Sequence, residues 1–549
     1  MSAPTDQLDY ASQRALVSAL LDRRRFPHAV RSVRLVETHI SWVLLAGRYA
    51  YKIKKALDLE FLDFTSLRAR QFYCAEEIRL NRRLAPKIYL DVIPIGGTPG
   101  QPDIGAQPAI EYAVRMRRFA TSRQLDRLLT RGKITVQHMD KLAATLAAFH
   151  LGLRGTEADS AFGTPAAIHG AAMQNFEQLQ SILTAQADRD AVAALSLSSE
   201  KEFAWCEKYF EQRRVQGCVR ECHGDLHLGN IVLIGDEPVP FDGIDFNATL
   251  RWIDVMDEAA FLAMDLLHNQ RADLAYRFLN AWLELTGDYA GVSVLRFYLA
   301  YRAVVRAKVS AIRALQHASN PRQHTQALTL CRSYLALARE CFARRGPALI
   351  ITHGLPGSGK STFAHGALER LQAIRIRSDV ERKRLFGLGP LDDSHSQFGT
   401  GIYTPDATRR TYQRLREIAR ELLNAGFPVI VDAAFPRQDE RAPFQQLAHD
   451  MGVPFAIVSI QASKATLSER ITRRRSEACD ASEADIGVLQ EVQAVQQPLL
   501  PHELACAVEF FNDPDHNDIA PGAASWYRLE KLLAAQARQS PVTEEPKKD

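Results

Sequence analysis

The 549-residue sequence contains no run of about 18 apolar residues, the length that a membrane-spanning helix requires. Its first ten residues, MSAPTDQLDY, carry two acids and no apolar stretch, so we expect no secretory signal. The eight cysteines are too few and too scattered to build a disulfide framework. Internal repeats are absent as well. These absences predict a cytoplasmic globular protein with free thiols.

Neither sign of charge is in strong excess. The 68 lysines and arginines against 64 acids give a net charge of +4. That balance is too weak for a protein that coats nucleic acid, but it suits an enzyme of anionic substrates such as nucleotides. The chain is too long to fold around a single hydrophobic core, so its length predicts about two to four domains.

Residues 1–345 predict an α+β domain. A helix over 6–25 precedes an antiparallel hairpin over 32–57, whose residues alternate and are rich in β-branched and aromatic types. A helix over 67–86 and two further strands follow. From about 121 the pattern is helical up to 344, interrupted by a strand–turn–strand unit that starts at 230.

From residue 346 the pattern changes. Five short apolar stretches, ALIIT, IRIRSD, PVIVD, FAIVSI and CAVEFF, alternate with helical segments. That alternation predicts an α/β domain over 346–538 with a parallel sheet and crossover helices. The polar tail 539–549 predicts disorder.

The first of these strands runs into a phosphate-binding loop. The motif G-x-x-x-x-G-K-[ST] and the residue after it comprise Gly354, Leu355, Pro356, Gly357, Ser358, Gly359, Lys360, Ser361 and Thr362. In such a loop the backbone N–H groups surround the phosphates of ATP, the lysine neutralises their charge, and the Ser361 hydroxyl binds Mg²⁺. The alternative is a glycine-rich turn that binds no nucleotide.

Two carboxylates fall at strand ends of this domain, where open parallel sheets bind ligands. Asp432 ends PVIVD, and we expect it to hold Mg²⁺ through water. Asp379 ends IRIRSD and is placed to accept the proton of a substrate hydroxyl. The alternative for Asp379 is an N-cap of the helix VERKRLFG.

A predicted helix that leads into a polar loop carries four arginines, Arg470, Arg473, Arg474 and Arg475. These arginines form either a lid over the phosphates or a solvated basic face of the helix. Together with GLPGSGKS, SDVERKRLFG and VIVDAAF, this stretch makes residues 346–535 resemble P-loop kinases such as polynucleotide kinase, gluconate kinase and zeta-toxin-like enzymes. The resemblance implies a kinase that phosphorylates a hydroxyl group.

The segment CVRECHGDLHLGN (218–230) allows two interpretations. Cys218, Cys222, His223 and His227 suggest a zinc site, but four ligands within ten residues can hardly surround one ion, and no second pair follows. The spacing His223-x-Asp225-x-x-x-x-Asn230 instead matches the catalytic loop of kinase-like folds. FDGIDFN then supplies Asp245 as a second metal ligand, with Asn247 where the glycine of D-F-G would stand.

A kinase-like fold also needs a lysine on its third strand and a glutamate on the next helix. AYKIKK offers Lys52 or Lys54 on one strand face, and Lys52 fits the A-x-K pattern better. Glu77 is the expected helix partner, with Glu76 beside it. No G-x-G-x-x-G loop occurs between residues 30 and 56.

With HGDLHLGN, residues 30–320 resemble the aminoglycoside phosphotransferase (choline-kinase-like) family, which implies a two-lobed, protein-kinase-like domain. The resemblance implies that Asp225 is the catalytic base and that Asn230 and Asp245 hold magnesium. Asp257 is expected to brace the catalytic loop. No acidic pocket for an aminoglycoside is recognisable, so the acceptor stays open.

The whole chain resembles the bacterial bifunctional aminoglycoside phosphotransferase/ATP-binding proteins. This predicts two sites for ATP and Mg²⁺, each transferring a γ-phosphoryl group to a hydroxyl of a small molecule. One alternative makes one domain an ATP-binding regulator of the other. Another makes the P-loop domain a polynucleotide 5′-hydroxyl kinase, although arginines without interleaved aromatics near 465–480 do not favour nucleic acid. We expect no membrane partner, and the oligomeric state stays open.

Overall fold

The structure is a computed structural model. It describes residues 8–59, 62–157, 159–343, 346–396, 399–477, 483 and 485–539. Residues 540–549, which make up nearly all of the tail predicted to be disordered, lie outside this description. Among the described helices, none is both long and apolar enough to cross a membrane.

The first part of the chain is mainly antiparallel sheet. Its elements are α1 (Tyr10–Ala19), β1 (Val33–Glu37), β2 (Ser41–Ala46), β3 (Tyr49–Lys54), β4 (Asp58–Leu59), β5 (Leu62–Asp63), α2 (Leu67–Asn81), β6 (Tyr89–Thr98), β7 (Gln101–Ile104), β8 (Glu111–Arg117), α3 (Leu125–Leu129) and α4 (Val136–Gly152). Six strands form one sheet in the order β1-β2-β3-β8-β6-β7, and all of its pairs are antiparallel.

The middle part of the sequence consists of helices and two short strand pairs. Its elements are α5 (Pro165–Ile182), α6 (Gln186–Val215), β9 (Val219–Glu221), β10 (Ile231–Ile234), β11 (Glu237–Pro240), β12 (Trp252–Asp254), α7 (Val255–His268), α8 (Ala272–Thr286), α9 (Val292–Gln316) and α10 (Pro321–Phe342). β9 pairs with β12, and β10 pairs with β11. The predicted catalytic loop therefore runs from the end of β9 to the start of the β10–β11 hairpin.

The last part is an α/β sheet. Its elements are β13 (Leu349–His353), α11 (Lys360–Leu371), β14 (Ile374–Arg377), α12 (Ser378–Leu385), α13 (Pro405–Asn424), β15 (Val429–Asp432), α14 (Gln438–Asp450), β16 (Phe455–Gln461), α15 (Lys464–Glu477), α16 (Ile486–Val495), α17 (Pro501–Leu504), β17 (Ala507–Asp513), β18 (His516–Asn517) and α18 (Ala524–Gln539). The order is β14-β15-β13-β16-β17-β18, parallel except for β18.

The predicted fold class is confirmed: an α+β kinase-like part is followed by a P-loop domain with a mainly parallel sheet. The predicted strands of the second domain coincide with β13 to β17 within about two residues. Strand β7 was missed because it lies in the turn-rich GGTPGQPDIGAQP, whose glycines and prolines suggest a loop.

The compact units of the chain do not follow its order. One unit comprises 1–171 and 210–265, and the other comprises 172–209 and 266–549. Helices α8, α9 and α10 thus pack with the P-loop sheet, although they precede it in sequence. The division near residue 345 rests on sequence patterns and stays a prediction about functional domains.

Helix α8 closes an open edge of the P-loop sheet. Strand β14 is the edge strand, so one row of its backbone groups has no strand partner. The buried side chain of Asn280 takes that place: its Oδ1 accepts from Arg375 N at 2.7 Å, and its Nδ2 donates to Ala373 O at 3.1 Å. One amide thereby satisfies a donor and an acceptor of the edge.

We predict that Asn280→Ala lowers the free energy of unfolding of this unit by about 2 kcal/mol, because two buried backbone groups lose their partners. Denaturant unfolding followed by circular dichroism measures the change. The matched control is Asn424→Ala at the exposed end of α13, which should stay within about 0.5 kcal/mol of the wild type. An equal effect of both substitutions would contradict the edge-closing role.

His353, the last residue of β13, should make this unit sensitive to acid. Burial, helped by the nearby charges of Arg441 and Lys360, lowers its pKa from 6.5 to about 4. Its two ring nitrogens already lie 3.3 Å from Ser459 Oγ and 3.3 Å from Gln496 Nε2. A second ring proton would point at the Gln496 amide nitrogen.

We therefore predict that the free energy of unfolding falls by up to about 3 kcal/mol as the pH drops from 6.5 to 4. The sign follows because the unfolded chain binds this proton below pH 6.5 and the folded chain does so only near pH 4. Unfolding at several pH values of the wild type and of His353→Asn measures the contribution. An identical pH slope in both proteins would refute it.

Candidate functional sites

The lysines and the glutamate predicted for the first site meet in a buried ion cluster. Lys52 and Lys54 lie on the same face of β3, and both reach Glu77 on α2: Lys52 Nζ is 2.9 Å from Oε1 and Lys54 Nζ is 2.8 Å from Oε2. Burial alone would raise the pKa of Glu77, but the two ammonium groups outweigh it and hold this pKa well below its ordinary value. Glu77 is therefore a buried anion.

The cluster extends to the segment that follows β11. Lys54 Nζ donates to Asp245 Oδ2 at 2.5 Å, and Lys52 Nζ donates to Asp242 Oδ1 at 2.6 Å. The structure thus brings Asp245, predicted as a metal ligand, into contact with one of the lysines. It gives each of the two lysines its own aspartate instead of selecting one lysine.

Asp242 was missed by the sequence reasoning. Its φ of +64° is a left-handed conformation that aspartate tolerates better than most residues, and its backbone N–H donates to Tyr89 Oη at 3.0 Å. The available signal was the repeated aspartate in FDGIDF, of which only the second was taken. Because the Asp242 side chain is about half exposed, it can meet a ligand from solvent.

The loop after β9 brings Asp225 and Asn230 together. Asn230 Nδ2 donates to Asp225 Oδ2 at 3.0 Å and to the Asp225 carbonyl at 3.0 Å, so the five-residue spacing folds the loop back on itself. The carboxylate of Asp225 is 39% exposed. It is therefore held in one orientation and remains accessible to a substrate.

Backbone contacts join this loop to the aspartate segment. His223 Nε2 lies 2.9 Å from Phe241 O, and Ile244 N donates to His223 O at 2.9 Å. A Cβ on Gly243 would come within 3.1 Å of His223 O, which explains why glycine stands there. Asp225 and Asp245 accordingly sit on two segments that are tied side by side.

Two carboxylates on α7 brace the catalytic loop from below. Glu258 Oε1 accepts from the backbone N–H groups of His223 at 2.5 Å and Gly224 at 2.8 Å, while Glu258 Oε2 lies 2.7 Å from His150 Nε2. Asp265 accepts from Leu228 N at 2.9 Å. The brace was predicted at Asp257; these loop bonds instead go to Glu258 and Asp265, one and eight positions further along the helix.

No zinc site forms from the cysteines and histidines of this segment. The structure uses His223 for backbone contacts, and Cys222 Sγ faces Ile253 O at 3.7 Å. His150, Cys222 and Glu258 do lie within 4.8 Å of one another. Burial raises the pKa of the Cys222 thiol well above its ordinary value, and both oxygens of Glu258 are already bonded, so this trio packs as a neutral thiol beside the hydrogen-bonded His150 and Glu258.

In the second domain residues 354–359 form the turn between β13 and α11, and residues 360–362 begin α11. Gly354, Gly357 and Gly359 all have φ between +83° and +154°, which glycine adopts without strain. A Cβ on Gly359 would fall 1.9 Å from Asn512 Nδ2. Ser361 lies in the first turn of α11, where its hydroxyl and the backbone N–H groups can meet an anion or a metal.

Lys360 points back over the loop. Its Nζ donates to the carbonyls of Gly354 and Leu355, each at 2.9 Å. The buried Ser358 Oγ has no hydrogen-bond partner among the described residues. The loop therefore has a cation at its mouth and an unused hydroxyl inside it.

Asp432 and Asp379 both stand at carboxyl ends of neighbouring strands. Asp432 ends β15 and is buried, and its Oδ2 has no hydrogen-bond partner in the described part of the chain. Asp379 is the second residue of α12, whose N-cap is Arg377, so the N-cap alternative for Asp379 is wrong. Its carboxylate raises the pKa of the Tyr403 hydroxyl, although burial is the larger cause.

Of the four arginines on α15, Arg470 reaches the P-loop. Its Nη1 donates to Gly357 O at 3.4 Å, and its Nη2 donates to Asn512 Oδ1 at 3.3 Å. Arg473 is exposed, and the side chains of Arg474 and Arg475 lie outside the described part of the structure.

Comparison with known proteins agrees with the second domain. The AAA_33 family model, described as an AAA domain, matches residues 349–499. These residues contain the P-loop, Asp379, Asp432 and Arg470.

Two solved structures illustrate the likeness of each part. A choline/ethanolamine kinase family protein from Mesorhizobium loti is 13% identical, covers 59% of this chain and 99% of its own, and has a TM-score of 0.35. The APS kinase CysC of Mycobacterium tuberculosis is 22% identical, covers 34% of this chain and 99% of its own, and has a TM-score of 0.25. TM-scores below 0.5 say nothing about activity.

A relative in Mycobacterium tuberculosis matches over most of its length. The uncharacterized protein Rv2004c is 31% identical over 458 residues, which are 83% of this chain and 89% of the relative. An identical share is found for the uncharacterized protein Mb2027c of Mycobacterium bovis. The match spans more than either part alone, and the chain belongs to the family of these mycobacterial proteins.

Proposed function

We propose that the chain is an ATP- and Mg²⁺-dependent phosphotransferase with two nucleotide sites, each transferring a γ-phosphoryl group to a hydroxyl of a small molecule. The observation that carries the proposal is the joining of Glu77, its two lysines and Asp245 into one buried cluster. Taking several charges out of water is costly. A buried lysine–glutamate pair beside an Asp–Asn loop is the arrangement that kinase-type phosphoryl transfer uses.

In the first site, Asp225 is the proposed base. Asn230 fixes its carboxylate, and Glu258 fixes the loop on which it stands. A positioned carboxylate takes the proton of the attacking hydroxyl as the new oxygen–phosphorus bond forms. Lys52 or Lys54 would hold the phosphates, since Glu77 keeps both ammonium groups in place.

In the second site, the backbone N–H groups of the P-loop and Lys360 would hold the β- and γ-phosphates. Asp379 is the proposed base, because it stands at the carboxyl end of β14 beside the Tyr403 hydroxyl. Arg470 would cover the phosphates from α15.

The acidic and hydroxyl groups of both sites fit magnesium, a cation that prefers oxygen ligands. Asn230 and Asp245 would hold it in the first site. Ser361 and Asp432 would hold it in the second, where the buried Asp432 Oδ2 accepts no hydrogen bond from any described residue. When bound, the ion neutralises charge on the transferred phosphoryl group.

The second site also indicates an anionic acceptor. Arg382 lies one helical turn after Asp379 on α12, is 7% exposed, and has no carboxylate within ion-pair distance among the described residues. Its Nε has no hydrogen-bond partner there, while Nη1 donates to Ile402 O and Thr408 Oγ1. The guanidinium also lies over the Tyr403 ring, 5.1 Å from its centroid. These contacts compensate a buried cation only in part, so an anion that pairs with it is favoured. We infer that the acceptor carries a carboxylate or phosphate near its reactive hydroxyl.

The two-site proposal predicts separable activities. Asp225→Asn should lower turnover at the first site by about 10²–10⁴-fold, because the base is lost. Lys360→Ala should abolish only the second activity, since it removes the phosphate-binding cation. The measurement is ATP turnover of each variant against sugars, sugar acids, amino alcohols, aminoglycosides and 5′-hydroxyl oligonucleotides.

Loss of both activities in either single variant would favour the alternative in which one domain regulates the other. Full activity of both variants would refute the two-enzyme proposal. Phosphorylation of the oligonucleotides alone, lost in Lys360→Ala, would favour a polynucleotide kinase.

Arg382→Gln tests the anionic acceptor. We expect the KM for an acidic acceptor to rise about 10- to 100-fold, the value of a charge-assisted hydrogen bond, with the KM for ATP unchanged. The control is Arg409→Gln on the exposed face of α13, which should change neither constant. If Arg382→Gln raised the KM for ATP instead, the guanidinium would belong to the nucleotide site.

A further inference from the structure

Helix α8 contributes a carboxylate to the P-loop domain. Glu284 stands one turn after Asn280, the residue that closes the sheet edge. Its Oε2 accepts from Arg375 Nη2 at 2.7 Å and its Oε1 accepts from Arg377 Nη1 at 2.9 Å. Burial alone would raise the pKa of Glu284, but the two guanidinium groups hold it below its ordinary value, so Glu284 is an anion shared by two cations.

The same two arginines face the buried Asp432. Arg375 Nη1 and Arg377 Nε each lie 4.0 Å from Asp432 Oδ2, too far for a hydrogen bond. Strand register explains the approach, because Arg377 and Asp432 are paired across β14 and β15, and Arg375 points to the same side two residues earlier. Asp432 is thus next to two cations but bonded to neither.

The two carboxylates compete for the two guanidinium groups. A buried arginine without a close anion is costly, so each guanidinium stays near whichever carboxylate is available. With Glu284 present, both make short bonds to it. Without that charge, Asp432 is still an anion 4.0 Å from both guanidinium groups, and a movement of about 1 Å would bring either arginine into direct contact with Oδ2.

We propose that Glu284 is a positioning residue that holds Arg375 and Arg377 away from Asp432 and so keeps this carboxylate available to magnesium. The proposal rests on the function proposed for Asp432. Glu284 touches neither nucleotide nor metal; it acts through the arginines.

The location of Glu284 makes this a means of regulation. Helix α8 comes from the segment that precedes the P-loop domain, and it is fastened to α12 through Arg384, whose Nη2 donates to Glu284 O at 2.5 Å. The close approach of this arginine leaves no room for a Cβ on Gly287, which would lie 2.8 Å from Arg384 Nε. Any displacement of α8 from β14 withdraws Glu284 and releases both arginines toward Asp432.

The test measures binding of ADP by the full-length chain with and without Mg²⁺, using calorimetry. The component of binding that Lys360→Ala removes reports the P-loop site. In Glu284→Gln we expect the Mg²⁺-dependent gain in ADP affinity to fall about tenfold, while ADP affinity without Mg²⁺ is unchanged. The double variant Glu284→Gln/Arg377→Gln should recover most of the gain, because one competing cation is gone.

Glu530→Gln is the matched control, since it removes the partner of Arg370 on the surface of the same unit and should leave both affinities unchanged. Asp432→Asn separates the two proposals. If it leaves the Mg²⁺-dependent gain intact, the metal role of Asp432 is wrong. If it removes the gain while Glu284→Gln does not, only the positioning role is wrong.

A simple loss of folding is distinguished by the double variant. If Glu284→Gln weakens ADP binding equally with and without Mg²⁺ and Arg377→Gln does not restore it, Glu284 is structural and the proposal is overturned. Recovery of the Mg²⁺-dependent gain in the double variant supports competition between the carboxylates, because removing a second charged side chain would not repair a damaged fold.

Discussion

The first unit depends on the charge of Glu77, which lies at the centre of a buried network with Lys52 and Lys54. Removing any of these charges from water costs several kcal/mol, and only the mutual pairing in a low-dielectric surrounding offsets it. The pairing requires β3, α2 and the Asp242–Asp245 segment in one place. The sheet, the helix and this segment therefore depend on one another, and their mutual pairing fixes the positions of both lysines.

The second unit depends on a different constraint, the need to satisfy an open sheet edge. A parallel sheet whose edge strand is β14 exposes backbone donors and acceptors, and α8 covers them with the amide of Asn280. Composition changes near residue 345, where strands begin to alternate with helices, whereas packing assigns 266–342 to the P-loop unit. The two boundaries differ because the first follows the pattern of strands and helices in the sequence, whereas the second follows which helices pack on the sheet and satisfy its buried backbone groups.

Local patterns in the sequence identified most helices and strands and the two loops that bear the candidate site residues. The spacing of Asp225 and Asn230 and the P-loop motif are contiguous, so a linear reading finds them. Asp242, Glu258, Asp265 and Glu284 were not found, since each acts on a segment far away along the chain. Only Asp242 lies in a recognised motif, where the second aspartate occupies the D-F-G position. The brace expected from Asp257 comes from its neighbour Glu258 because one step along a helix turns a side chain by about 100°. Roles of this kind follow from helix phase and tertiary position, which the sequence does not show.

The two sites solve the same electrostatic problem in opposite ways. Each needs a carboxylate for a divalent cation close to basic groups for phosphate, and those two sets of charges attract one another. In the first site the attraction is satisfied, because Lys54 is in direct contact with Asp245 at 2.5 Å. In the proposed first site Asp245 would hold the metal only when Lys54 no longer occupies this oxygen, and Lys54 would then be available to phosphate. In the second site Glu284 binds both arginines, and one oxygen of Asp432 has no hydrogen-bond partner among the described residues. Asp245 would therefore become available only when its ligands bind, whereas Glu284 on α8 keeps Asp432 available beforehand. A movement of α8 could for that reason regulate the second site but not the first.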